Sequence, residues 1–139
     1  MLEHFEPICI ASPIQRTGTT LLQRLLSSDP NALIYGESCA GDLNISLSLF
    51  LNKQIMLGGP RQAQDNQLQR VLDGQVNEWI PDLQPDSITY VNHFQLKLRQ
   101  ELEFFAAYAA NRGRSVWGFK LPSWQVAQLF QLAKLLPKA

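Results

Sequence analysis

Arg16-Thr17-Gly18-Thr19-Thr20 gathers a permanent cation, three hydroxyl side chains and a glycine into one short run. The guanidinium fork and the hydroxyls are hydrogen-bond donors suited to an oxyanion. Gly18 tolerates a positive φ and lets the backbone come close to a ligand. Two more distant residues complete the set. Glu37 and Lys120 each stand at the end of a candidate strand farther along the chain. The chemistry this implies is the cradling of a phosphate or sulfate group.

The elements that must position these residues follow from the local pattern. Ile8-Cys9-Ile10-Ala11 is a short apolar run of strand formers that breaks at Ser12-Pro13. After the loop, Leu21, Leu22, Leu25 and Leu26 mark the apolar face of a helix that starts near Thr17 to Thr19 and stops at Ser28-Asp29-Pro30. Strand, tight loop, helix turns unpaired backbone N–H groups toward an anion. The loop differs from GxxxxGK[ST]. With Gly18 as the second glycine, Pro13 stands at the first and Thr19 at the lysine.

Ala32-Leu33-Ile34-Tyr35 reads as a second strand that delivers Gly36-Glu37-Ser38. Residues 43–57 fit both strand alternation and a helix face, and their length favours a helix. Residues 61–80 carry Leu68, Val71, Leu72, Val76, Trp79 and Ile80 at near-helical spacing. A long helix, capped by Asp86 or Ser87, runs to about Asn111 with Phe94, Leu98, Leu102, Phe105 and Ala109 inward. Residues 115–120 read as a strand ending in Lys120. Pro122-Ser123 opens a last helix with Val126, Leu129, Phe130, Ala133 and Leu136 inward. Trp79, Trp117 and Trp124 are expected in the core.

This order predicts an α/β domain with a parallel sheet and a helical insertion. In such sheets ligands sit at the carboxyl ends of strands. Parallel strands would therefore gather Arg16, Glu37 and Lys120 at one rim.

The loop QRTGTTLL resembles the PRSGTTLL loop of sulfotransferases, with Gln15 where that family usually has proline. YGES at Tyr35 to Ser38 resembles the CGEE stretch of the tyrosylprotein and bacterial sulfotransferases. Ser38 replaces one acid, so Glu37 matches either. WGFKLP at Trp117 to Pro122 resembles a later GxKxP stretch. The resemblance implies a P-loop-like three-layer fold and the co-substrate 3′-phosphoadenosine 5′-phosphosulfate. It implies that Gln15, Arg16, Thr17, Gly18, Thr19 and Thr20 bind the 5′-phosphosulfate. Arg16 and Lys120 would contact the transferring group and leaving phosphate, and Glu37 would be the base. The acceptor would be a hydroxyl on a sugar, peptide, lipid or small metabolite. The family's 3′-phosphate-binding strand and helix would follow Leu136-Pro137-Lys138-Ala139. The chain is thus expected to be a single incomplete domain over residues 1–139, truncated before that strand, with doubtful activity by itself. A truncated sheet edge would favour self-association. The alternatives are a P-loop phosphotransferase, which asks for a lysine after Gly18, and a non-catalytic remnant of the fold.

The 139-residue composition, 45% hydrophobic and 17% charged, is that of a globular domain. Twelve basic and twelve acidic residues give no global pull toward nucleic acid or membrane. Cys9 and Cys39 are too few for a disulfide framework or metal cluster, and no metal is expected. Cys9 reads as a small core residue. His4 lies at the terminus, and His93 falls on a helix as a lesser candidate base. The opening MLEHFEP lacks an apolar signal core, no run reaches membrane length, and the expected setting is cytoplasmic.

Overall fold

The computed structural model describes the chain except residues 1, 3, 13, 15, 16, 58–61, 76, 78–82 and 123, and the side chains of 62–64 and 122. The described elements are β1 (Ile8–Ser12), α1 (Thr19–Ser28), β2 (Ala32–Tyr35), α2 (Glu37–Leu57), α3 (Gln62–Leu72), α4 (Ser87–Asn111), β3 (Val116–Pro122) and α5 (Val126–Leu135). They form two compact units, one of residues 1–45 with 99–139 and one of residues 46–98.

The first unit holds a three-stranded parallel sheet of order β1-β3-β2. Ile8 pairs with Gly118 and Ile10 with Lys120, while Leu33 pairs with Trp117 and Tyr35 with Phe119. The strand formers of β1 and β2 lie where their pattern puts them. β3 runs on to Pro122, so Lys120 sits within the strand and not at its end. Leu33, Tyr35, Trp117, Phe119 and Leu121 share one face by alternation. Phe105 of α4 packs edge-on against Phe119, with ring centroids 5.0 Å apart. Phe119, Leu121, Leu102 and Ala109 are fully buried there, each large side chain contributing about 1.5–3 kcal/mol by burial. Trp117 and Trp124 are buried as expected, whereas Trp79 lies outside the described residues.

Two helices present faces other than those expected. α1 buries no residue, and its Leu21 is 63% exposed, with Leu22 and Leu25 exposed beside it. Its polar side does the docking instead, because Gln23 Nε2 donates to Ile34 O (2.9 Å) and Ser27 Oγ accepts from Ile34 N (3.2 Å). α5 starts at Val126 after an N-cap at Gln125, whose backbone N–H donates to Gln128 Oε1 (2.8 Å). It buries Leu132, and Leu136 beyond its end is also buried, while Val126 and Phe130 are exposed. The spacing of the apolar residues correctly marks a helix and places Leu136 inward, but it turns Val126 and Phe130 the wrong way and omits Leu132; Gln128 Nε2 donates to Asn44 Oδ1 of α2 (2.9 Å).

In the second unit, α2 buries Leu47, Phe50 and Leu57, and α4 buries Leu98. The ambiguous segment 43–57 is helical, and its helix begins earlier, at Glu37. Asp86 caps α4 by accepting from Thr89 N (2.9 Å). Asp65 of α3 accepts from both Ser87 N (3.1 Å) and Ser87 Oγ (3.0 Å), which ties the start of α4 to α3. α3 ends at Leu72, well short of residue 80, because Gly74 takes φ 85° and its N–H donates to Val71 O. Leu72 is exposed, and Val76, Trp79 and Ile80 lie outside the described residues.

Candidate anion-binding site

The loop after β1 is organised by a residue that the sequence reading passes over. Ser12, the buried last residue of β1, donates its hydroxyl to Ile14 O (2.8 Å). The same oxygen accepts from Ile14 N (3.2 Å) and from Thr17 Oγ1 (2.9 Å). A single hydroxyl thus pins both ends of the turn that leads to α1. A serine before a proline reads only as a strand stop, so its type gives no sign of this role.

Gly18 ends the loop as the N-cap of α1, with φ 83° and ψ 6°. No side chain caps α1 and no acid stands in its first turn. Leu22 N donates to Gly18 O, which opens the helical ladder and leaves the earlier N–H groups outside it. Together with the positive end of the helix dipole, this is a surface of donors. Thr17 turns inward to Ser12, whereas Thr20 stands in the first helical turn.

Lys120 reaches this turn from the neighbouring strand. Its Nζ donates to Thr20 Oγ1 (2.9 Å) and forms an ion pair with Glu37 Oε1 (2.7 Å). The lysine side chain is 6% exposed and the glutamate side chain 64%. Glu37 is the first residue of α2, where its carboxylate also faces the positive end of a helix. Its position is set by Tyr35 two residues earlier, whose hydroxyl donates to Phe105 O (2.6 Å) and whose ring packs on Phe105. Burial, with Cys39 and Tyr108 adding to it, pushes the Tyr35 phenol up to about 12. That group is therefore a fixed anchor at neutral pH and not an acid.

Of the residues the sequence singles out, the structure brings together Thr20, Glu37 and Lys120, next to Gly18 and Thr19. Gln15 and Arg16 lie outside the described residues. The strand-end rule thus holds for Glu37, and for Lys120 it holds by the length of the side chain, which reaches forward from inside β3.

Other reactive groups do not join the cluster. Burial pushes the Cys9 thiol up to about 11, and burial followed by Asp42 raises that of Cys39, so neither is a thiolate nucleophile near neutral pH. His93 packs on Phe94 in the second unit. Among the described residues, no group of His, Cys, Asp and Glu is arranged to hold a metal, and no helix is long and apolar enough to cross a membrane. No family model matches the chain, and no curated protein or solved structure matches it.

Proposed function

We propose that this chain carries the sulfuryl-transfer site of a sulfotransferase that uses 3′-phosphoadenosine 5′-phosphosulfate. The observation that carries the reading is the buried ammonium of Lys120 held between Thr20 in the first turn of α1 and Glu37 in the first turn of α2. A phosphate loop ordinarily has its lysine directly after the second glycine. Here Thr19 stands there, and the cation comes from β3 instead. The strand order β1-β3-β2, with the loop following the first strand, supports a P-loop-like fold.

The donor set fits the 5′ end of the co-substrate. Backbone N–H groups at α1, the Thr19 and Thr20 hydroxyls and the Lys120 ammonium are all donors, and no acid in α1 opposes an anion. The co-substrate supplies the sulfuryl group when bound. In the transfer, the acceptor hydroxyl oxygen forms a bond to sulfur while the bond from sulfur to the phosphate oxygen breaks. Lys120 and the α1 amides stabilise the charge that develops on that oxygen. Glu37 takes the acceptor's proton, and its exposed carboxylate is open to an acceptor approaching from solvent. Arg16 adds a second cation to the loop on the strength of the sequence resemblance.

The test is transfer of labelled sulfate from the co-substrate to a panel of hydroxyl acceptors. In a form that also carries the family's 3′-phosphate-binding strand and helix, at least one acceptor class should be labelled, and Glu37→Gln should lower turnover while leaving affinity for 3′-phosphoadenosine 5′-phosphate nearly unchanged. Equal losses of affinity and rate would make Glu37 a structural partner of Lys120 only.

A further inference from the structure

The rim of the sheet opposite the carboxyl ends of its strands carries a second set of cations. The turn between α4 and β3 reads Arg112-Gly113-Arg114. Gly113 takes φ 71° and closes α4. Its N–H donates to Ala110 O (2.9 Å), and Arg114 N donates to Ala109 O (2.9 Å). The backbone of the turn thus satisfies these last helical carbonyls, and neither guanidinium is needed to cap them.

Both arginines line a cleft of about 420 Å³ together with Leu33 and Tyr108. All four residues belong to the unit of residues 1–45 and 99–139. The central carbon of the Arg112 guanidinium stands 5.3 Å from the centre of the Tyr108 ring, one turn back on α4. Arg114 Nη1 donates to Asp29 O (2.7 Å), at the end of α1, and its other donors remain for a ligand. The Asp29 carboxylate accepts from Asn31 N (2.7 Å), and among the described residues neither arginine forms an ion pair. Leu33, half-buried near the start of β2, gives the cleft an apolar wall, and the Tyr108 ring is exposed. Two like charges lining one cleft repel each other, and an anion between them removes that cost.

We propose that this cleft binds a small phosphate monoester with a flat apolar body, at a site separate from that of Lys120. A planar carboxylate is matched by a single guanidinium fork. Here two forks stand on different supports, one on the Tyr108 ring and one at the end of α1. Donors arriving from two supports suit a tetrahedral group, and two cations balance the charge of about −2 on a phosphate monoester. The Tyr108 ring and Leu33 offer apolar surface that a bare ion leaves unused. The volume lies within the range of about 300–1,000 Å³ that small-molecule sites occupy.

Nuclear magnetic resonance titration of the full chain with phenyl phosphate, inorganic phosphate and benzoate tests this. Phenyl phosphate should shift the side-chain N–H resonances of Arg112 and Arg114 and the ring resonances of Tyr108. It should bind there more tightly than inorganic phosphate, which lacks the body, and than benzoate, which lacks the tetrahedral dianion. Arg112→Gln, at an exposed position, should weaken phenyl phosphate about 10-fold or more with an unchanged circular dichroism spectrum. Lys120→Met should leave the shifts at Arg112 and Arg114 as they are, which separates this site from the proposed phosphosulfate site. Arginine resonances that do not move with phenyl phosphate would overturn the proposal. So would benzoate or inorganic phosphate binding there as tightly, a folded Arg112→Gln that binds as tightly as wild type, or loss of the shifts in a folded Lys120→Met. If Arg112→Gln does not fold, the ranking of the three ligands at the wild-type arginines decides the question alone.

Discussion

Lys120 of β3 and Glu37, the first residue of α2, are joined by an ion pair of 2.7 Å in which the lysine is 6% exposed and the glutamate 64%. The asymmetry decides which partner matters for stability. Removing the ammonium leaves a carboxylate that water already solvates. Removing the carboxylate leaves a buried ammonium with only the Thr20 hydroxyl. Lys120→Met should therefore stay within about 1 kcal/mol of wild type in urea unfolding. Glu37→Ala should be the more destabilised of the two, and the reverse order would mean that the ammonium is better solvated than its burial implies.

Two glycines should respond differently to the same methyl group. Around Gly18 there is open space, so Gly18→Ala bears only the cost of holding φ 83°, about 1–2 kcal/mol. A Cβ on Gly118 would collide with the backbone of Ile8 on β1. Gly118→Ala should therefore force β1 and β3 apart and cost about 3 kcal/mol or more. Urea midpoints of the two variants check the ranking.

Ser12→Ala removes one hydroxyl and three hydrogen bonds of the loop. We expect a loss of about 1–3 kcal/mol, chiefly from the Ile14 N–H left without its acceptor. Faster amide exchange at Ile14 and Thr17, with β2 and β3 unchanged, would separate loosening of the loop from general unfolding.

The first strands and the helix after them are legible because each is short, locally consistent and bounded by strong breakers such as Pro30 and Gly36. The place of Glu37 at the rim is legible for a topological reason, since parallel strands put their carboxyl ends on one side, whereas Lys120 lies inside β3 and meets it only through the length of its side chain. What is not legible depends on contacts between distant segments. Leu21, Leu22 and Leu25 announce an apolar face of α1, yet periodicity does not say whether anything covers that face, and here nothing among the described residues buries it. The docking side of α1 is polar because its work is to satisfy the edge of β2, a role no periodicity encodes. Ser12 shows the same limit at the site, where a small polar residue gains its importance only from the turn folded around it.

Asp86 should give α4 an acid-sensitive start. Its hydrogen bonds from Thr89 hold the carboxyl below the ordinary value of 3.8. A lowered folded value means the contribution is present above the ordinary carboxylate range and is lost as pH falls through the lowered one. Asp86→Asn should keep the cap while removing this pH dependence, and Asp86→Ala should lose both. Following the Thr89 amide resonance between neutral and strongly acidic pH checks the sign. A folded-state midpoint above the ordinary carboxylate value would reverse it.

Calorimetric titration with 3′-phosphoadenosine 5′-phosphate, comparing the full wild-type chain with Lys120→Met, tests the proposed site most directly. A charge-assisted hydrogen bond contributes about 1.5–3 kcal/mol, so the variant should bind about 10- to 100-fold more weakly while unfolding at nearly the wild-type urea concentration. A folded Lys120→Met that binds it as tightly as wild type would contradict a phosphosulfate site built around Lys120.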